Sequence, residues 1–326
     1  MRRREFLGAI GGAAFAWPNA VRAQQTGKVY RVGFLGFGTA SGWAPRVEAL
    51  TTGLRELGYV SNANVAFEFR WAETVDRLIE LAAELVRIKV DLIFASTSTE
   101  VEVARQATTT IPIVFATHAD PVGVGHVTSL PRPGGNITGL TVVQADLTSK
   151  AIEIFKEAVP HMQLLGVLWS PSAPSYRPTL KAVETATAKL NLDVRMIALR
   201  TAEDFESAFT TMAHERAHGF FVSASALTLS QRALLAELGL KYRLPGMFGA
   251  RDNVASGGLM SYSPDARDLT RRAAIYIDKI LRGTNPADLP VEQASRYQLV
   301  INLKTAKALG LEISPSVLAR ADEVIE

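Results

Sequence analysis

The residues of this chain with chemistry to offer are mostly hydroxyls, and they fall just beyond the ends of apolar runs. In the first half they are Gly36-Phe37-Gly38-Thr39, Ser96-Thr97-Ser98-Thr99 and Thr117-His118-Ala119-Asp120. In the second they are Ser170-Pro171-Ser172, Ser223-Ala224-Ser225 and Arg251-Asp252-Asn253. Hydroxyls and free backbone N–H groups at helix starts suit a carboxylate. An acid such as Asp120 suits an ammonium, and aromatics such as Phe37, Trp43, Trp71, Trp169 and Tyr262 suit an apolar side chain. Together they describe a site for an amino acid or a related small zwitterion. Each also has a plainer use. Ser96 to Thr99 precede a helix and can cap it, Asp120-Pro121 can open a turn, and Trp71 or Trp169 can be core. The expected ligand contacts are Phe37, Ser96, Thr97, Thr117, Asp120, Trp169, Ser223, Ser225, Arg251 and Tyr262.

Signals for catalysis are weak. The five histidines show no metal spacing such as H-E-x-x-H, and Gly36-Phe37-Gly38 lacks the third glycine of a dinucleotide site. No G-x-S-x-G elbow is present, and Gly134-Gly135-Asn136 is not followed by the Lys-Ser/Thr of a phosphate loop. Zero cysteines exclude disulfides, thiolate metal sites and a cysteine nucleophile. No catalytic residue, metal or cofactor is expected.

The elements that must position these residues alternate in type. Apolar runs at Val32 to Leu35, Val65 to Phe69, Asp91 to Ala95 and Ile111 to Ala116 read as strands. Between them lie helical patterns over 45–57, Asp76 to Lys89 and Glu100 to Gln106. The order recurs from Leu164 to Gly249, after a joint at 131–150 that opens with the turn Pro131 to Asn136. Continuous apolar strands between helices imply parallel sheets covered on both faces. The fold class is therefore α/β: two similar doubly wound lobes joined by a multi-strand hinge. Leu259 to Tyr262, a helix over Ala266 to Leu281 and a final strand–helix unit suggest that the chain crosses between lobes more than once. The expected division is 29–142 with 262–285, and 146–260 with 286–326.

Residues 1–23 read as an export signal: Arg2, Arg3 and Arg4, a short apolar run, and Val21-Arg22-Ala23 before a cut. Arg3-Arg4-Glu5-Phe6-Leu7 fits the twin-arginine type. The apolar stretch from Gly8 to Trp17 is too short for a bilayer span, which needs ~20 residues. The segment carries four of the 35 basic and one of the 32 acidic residues, so the remainder is balanced at 31 of each. A nucleic-acid partner thus loses its electrostatic basis. These features lead to a periplasmic, monomeric protein that meets the membrane only through a partner.

Several longer stretches resemble the ABC transporter substrate-binding protein family that includes tryptophan and tyrosine binders. They are Gly53-Leu54-Arg55-Glu56-Leu57-Gly58-Tyr59, Thr109 to Phe115, Asp120-Pro121-Val122-Gly123 and Arg132 to Gly139. Gly257-Gly258-Leu259-Met260-Ser261-Tyr262 and Arg320 to Glu326 complete the set. The resemblance covers nearly all of 29–326. It implies a type I periplasmic-binding-protein fold with two lobes, three hinge crossings and the ligand in the cleft, together with an ABC permease as partner. It also implies that Ser96, Thr97 and Thr117 hold a carboxylate and that Asp120 faces an ammonium. Two alternatives to transport are a ligand sensor for a membrane receptor and an exported hydrolase.

Overall fold

The computed structural model describes residues 28–326, so the proposed export signal lies outside the described residues. The first half builds β1 (Tyr30–Phe37), α1 (Ala40–Glu56), β2 (Val65–Ala72), α2 (Val75–Arg87), β3 (Leu92–Ala95), α3 (Ser98–Ala107), β4 (Ile113–His118) and β5 (Ile137–Thr141). The chain then enters a second unit through α4 (Gln144–Ala158), β6 (Leu164–Trp169), α5 (Tyr176–Lys189), β7 (Asp193–Ala198), α6 (Asp204–His214) and β8 (Gly219–Val222). It continues with α7 (Ala226–Ser230), α8 (Arg232–Lys241), β9 (Gly246–Phe248), α9 (Arg251–Ala255) and β10 (Met260–Pro264). Helix α10 (Ala266–Leu281) and β11 (Glu292–Gln293) return to the first unit. Strand β12 (Tyr297–Asn302), α11 (Leu303–Leu309), α12 (Pro315–Leu318) and β13 (Glu323–Ile325) finish in the second.

The strands form two sheets, ordered β11-β5-β4-β3-β1-β2 and β13-β12-β10-β9-β8-β6-β7. All pairings are parallel except β10 with β12. The chain therefore passes between the sheets three times: after β5, after β10 and after β11. Two boundaries fall elsewhere than the sequence suggested. Tyr262 sits in β10 opposite Leu299 of the second sheet, and Glu292 pairs with Leu140 of the first. The second crossing lies at Pro264–Ala266, and a two-residue strand such as β11 is too short to leave a periodic signal.

Helical spacing explains the packing of the first unit. On α2, Leu78, Leu81, Ala82 and Leu85 form one buried face. On the opposite side of the sheet, α1 and α10 pack together over Val32, Phe34 and Phe94. Gly53 lets these helices approach, since a Cβ there would lie 2.5 Å from the Arg271 carbonyl. The apolar cluster that holds the α2 face is continuous across both units, joining Leu35 and Phe37 to Ala226, Leu227 and Phe248. The two sheets thus share buried apolar surface beside the cleft between them.

Candidate functional site

The site begins where β3 and β4 end. Ser96 is fully buried, and its hydroxyl lies 3.2 Å from the Thr117 hydroxyl. Thr97 starts α3, and its N–H and hydroxyl both donate to the Glu100 carboxylate. That carboxylate also accepts the Phe37 N–H at 3.2 Å. Glu100 thereby ties the end of β1 to the start of α3. Burial pushes its pKa up, against the pull of these hydrogen bonds.

These strand ends open on a cleft with about 760 Å³ of unoccupied space, partly open to solvent. Arg46, residues 97–99 and Thr117 line it from the first sheet, and Ser175, residues 224–226 and residues 249–252 from the second. Hinge residues Gln144, Asp265 and Arg267 complete it. Two contacts cross the cleft. Arg46 Nη2 lies 2.9 Å from Asp252 Oδ2, and Ser175 Oγ donates to Ser98 Oγ at 3.0 Å. Arg46 is almost wholly buried and lies over the Trp43 ring. Burial works to raise the Asp252 pKa, but the charges of Arg46, Arg232 and Arg267 outweigh it and hold the carboxyl below its usual range. The apolar wall is aliphatic, with Val142, Ala173, Ala224, Ala226, Leu229 and Pro264.

Four of the residues singled out from the sequence line this cleft: Thr97, Thr117, Ser225 and Arg251. Ser225 also caps α7, accepting the Thr228 N–H at 3.2 Å. Arg251 is held by a two-pronged ion pair to Glu323. The other six stand outside the main lining. Ser96 is buried behind Thr117. Phe37 is core and borders a smaller side recess with Thr39, Trp43 and Arg232. Asp120 accepts the Gly123 N–H at 2.8 Å, so its carboxylate closes the turn that its Asp-Pro sequence could equally signal. Trp169 stacks on Tyr176 at 4.9 Å, with its buried Nε1 unpaired. Ser223 is buried, and its carbonyl accepts the Thr228 hydroxyl. Tyr262 packs near Tyr297 at 6.1 Å. Conversely, Arg46, Gln144, Ser175 and Arg267 also line the cleft: Arg46 lies inside the helical pattern over 45–57, Ser175 falls beyond Ser172 in the loop after β6, and Gln144 and Arg267 stand at the starts of α4 and α10, where no ligand contact is expected from sequence.

A cleft between two parallel sheets, at the carboxyl ends of their strands, is where open α/β sheets bind ligands. Residues 41–325 match the model of the family described as "ABC transporter substrate binding protein". The chain belongs to that family. Proteins of this family bind a substrate and do not convert it, in keeping with a cleft built of hydroxyls, backbone and fixed ion pairs. This substrate-binding protein is 25% identical to a tyrosine-binding protein of Clostridioides difficile (strain R20291) over 260 residues, 79% of this chain and 74% of that protein. Among solved structures it is similar to an ABC domain from Streptococcus pneumonia in complex with L-Trp. That likeness has a TM-score of 0.84 and 26% identity, covering 91% of this chain and 99% of that one. It is likewise similar to a conserved domain protein from Vibrio cholerae O1 biovar eltor, with TM-score 0.85 and 26% identity over 91% of this chain and 100% of that one. The two mainly parallel sheets and three crossings are a type I periplasmic-binding-protein fold. Among the described residues no group of three or more acids and histidines is placed to hold a metal, and no helix is long and apolar enough to cross a membrane.

Proposed function

We propose that this protein is the extracytoplasmic binding component of an ABC importer, and that its ligand is an amino acid with an aromatic or branched side chain. The observation that carries this reading is a cleft lined from both sheets and bridged by Arg46–Asp252 and Ser98–Ser175. Closure of this kind retains a ligand because ligand contacts with both lobes stabilise the closed state. The start of α3, whose residues 97–99 line the cleft, suits a carboxylate through its backbone N–H groups, and the aliphatic wall suits an apolar side chain. The tyrosine and tryptophan named for two relatives point to the same class. In this reading the two sheets move as lobes about the crossings. The 1–23 segment directs twin-arginine export with a cut after Ala23, and the released monomer delivers its ligand to a membrane permease.

A thermal-shift screen of residues 24–326 against the amino acids and small carboxylates tests the ligand class. Ligand at about 100 times its dissociation constant stabilises by ~2.7 kcal/mol. An upward shift with tyrosine, tryptophan or a branched amino acid is expected. A shift with sugars or nucleosides and none with any amino acid would overturn the zwitterion reading.

A further inference from the structure

A line of hydrogen-bonding side chains runs from the surface to the cleft, and backbone groups fix its direction. The Asp120 N–H donates to His118 Nδ1 at 3.1 Å, so Nδ1 carries a lone pair and the proton of the neutral ring is on Nε2. His118 Nε2 lies 2.7 Å from His126 Nδ1, which must then accept. His126 in turn donates through Nε2 to the Glu102 carboxylate at 2.6 Å. Glu102 is held ionised from outside by Arg105, which grips both carboxylate oxygens. At the inner end, Ser98 Oγ lies 3.2 Å from His118 Nδ1 and shares that lone pair by donating its proton. Its own lone pairs take the Ala119 N–H at 3.1 Å and the Ser175 hydroxyl at 3.0 Å.

The bookkeeping at Ser98 is then complete: one proton given inward, two lone pairs filled. Ser98 lines the cleft, and the partner it meets from the facing sheet is a donor. Burial and the neighbouring imidazole keep His118 neutral, so its Nδ1 does not become a donor.

We propose that His118, His126 and Glu102 are positioning residues that fix the Ser98 hydroxyl as an acceptor toward the cleft, making Ser98 the contact for the ligand's ammonium group. Resting on the zwitterion reading of the cleft, this assigns that half of the ligand to a residue whose polarity is set by a relay. An ammonium entering the cleft takes the lone pair now filled by Ser175. A carboxylate is refused there, since its oxygens would face the lone pairs of Ser98. The two ends of a zwitterion are thereby sorted, with the carboxylate left to the backbone N–H groups at the start of α3.

Two measurements test it. Long-range ¹H–¹⁵N correlation of the imidazoles in the exported form at pH 7 should show both His118 and His126 neutral and protonated on Nε2. A His118 ring protonated on Nδ1 overturns the relay. The second measurement is calorimetric, comparing L-tryptophan with its desamino analogue indole-3-propionate. The unaltered protein should prefer the amino acid at least tenfold. Ser98→Ala and His118→Leu should bring that ratio near one, whereas His118→Asn, whose carbonyl can accept in place of Nδ1, should retain most of it. An unchanged ratio in both Ser98→Ala and His118→Leu overturns the proposal. If neither tryptophan nor any other amino acid binds the unaltered protein, the zwitterion reading fails and the ammonium assignment fails with it, while the tautomers alone decide the relay.

Discussion

At the scale of single residues, the side chains that shape the cleft are committed to one another before any ligand arrives. Glu100 is the clearest case, because its carboxylate gathers two backbone N–H groups and one hydroxyl from the end of β1 and the start of α3. Glu100→Leu should leave the Phe37 and Thr97 N–H groups buried and unpaired, each at about 1–3 kcal/mol. The net loss expected is about 2–4 kcal/mol, discounted for no longer burying a carboxyl. A lowered urea midpoint at constant m-value reads this directly, and a midpoint within error of the parent would refute the role. The pH dependence has a definite sign. Burial raises Glu100 above its ordinary 4.5, so the unfolded chain gives up this proton first. The group's contribution to stability therefore declines as pH rises from 4.5, and the leucine variant should lack that decline. Residues of this kind also show what sequence makes legible. Thr97, Thr117, Ser225 and Arg251 could be picked out because a ligand site in this architecture lies just past strand ends. Asp120 could not be resolved in the same way, since the Asp-Pro pair that suggests an ammonium partner is also a turn signal, and the carboxylate is spent on Gly123.

At the scale of elements, apolar runs made the strands readable but left their ends and the joints obscure. The first helix illustrates the limit. Apolar spacing places the helix over 45–57, yet α1 begins at Ala40, capped by Thr39, and carries Pro45 inside it. Apolar spacing reports only the turns with a buried face, and here the Thr39 cap and the buried Trp43 hold an earlier turn. Helix α4 went unread because its first residues, from Gln144, fall in the joint between the repeats. The pairing of α1 with α10 was also invisible, since more than 200 residues separate them. Gly53 supplies a measurement of it. Gly53→Ala should force the helices apart by crowding the Arg271 carbonyl and the Ala274 methyl, at about 1–3 kcal/mol. Gly135→Ala, where a Cβ meets nothing within 4 Å, is the control and should stay within about 0.5 kcal/mol. Equal thermal midpoints for the two variants would show that the α1–α10 contact is slack.

At the scale of the whole molecule, the repeat in the sequence revealed two units but not how they meet. The closing contact joins Arg46 to Asp252 across 206 positions, and nothing local to either residue marks it. Its energetics follow from burial. Arg46 is nearly inaccessible in the closed arrangement, so removing its partner leaves a buried charge unpaired. Opening the cleft lets that guanidinium regain water, so Asp252→Asn should favour the open form. Asp252 itself is about a quarter exposed, which scales the effect down to about 1–2 kcal/mol, or roughly a five- to thirtyfold loss of affinity for any ligand that needs closure. Small-angle scattering of the ligand-free variant should show a larger radius of gyration than the parent, and saturating ligand should bring the two back together. The sign with pH also follows. Because the carboxyl is held below its ordinary 3.8, the ion pair is complete above that value and is lost only as pH falls through the lower pKa of the folded state. The parent should therefore stay closed through mild acid, where the asparagine variant is already open. A variant with unchanged scattering and affinity would mean that the shared apolar cluster around Phe37 and Leu227, and not the ion pair, holds the lobes together.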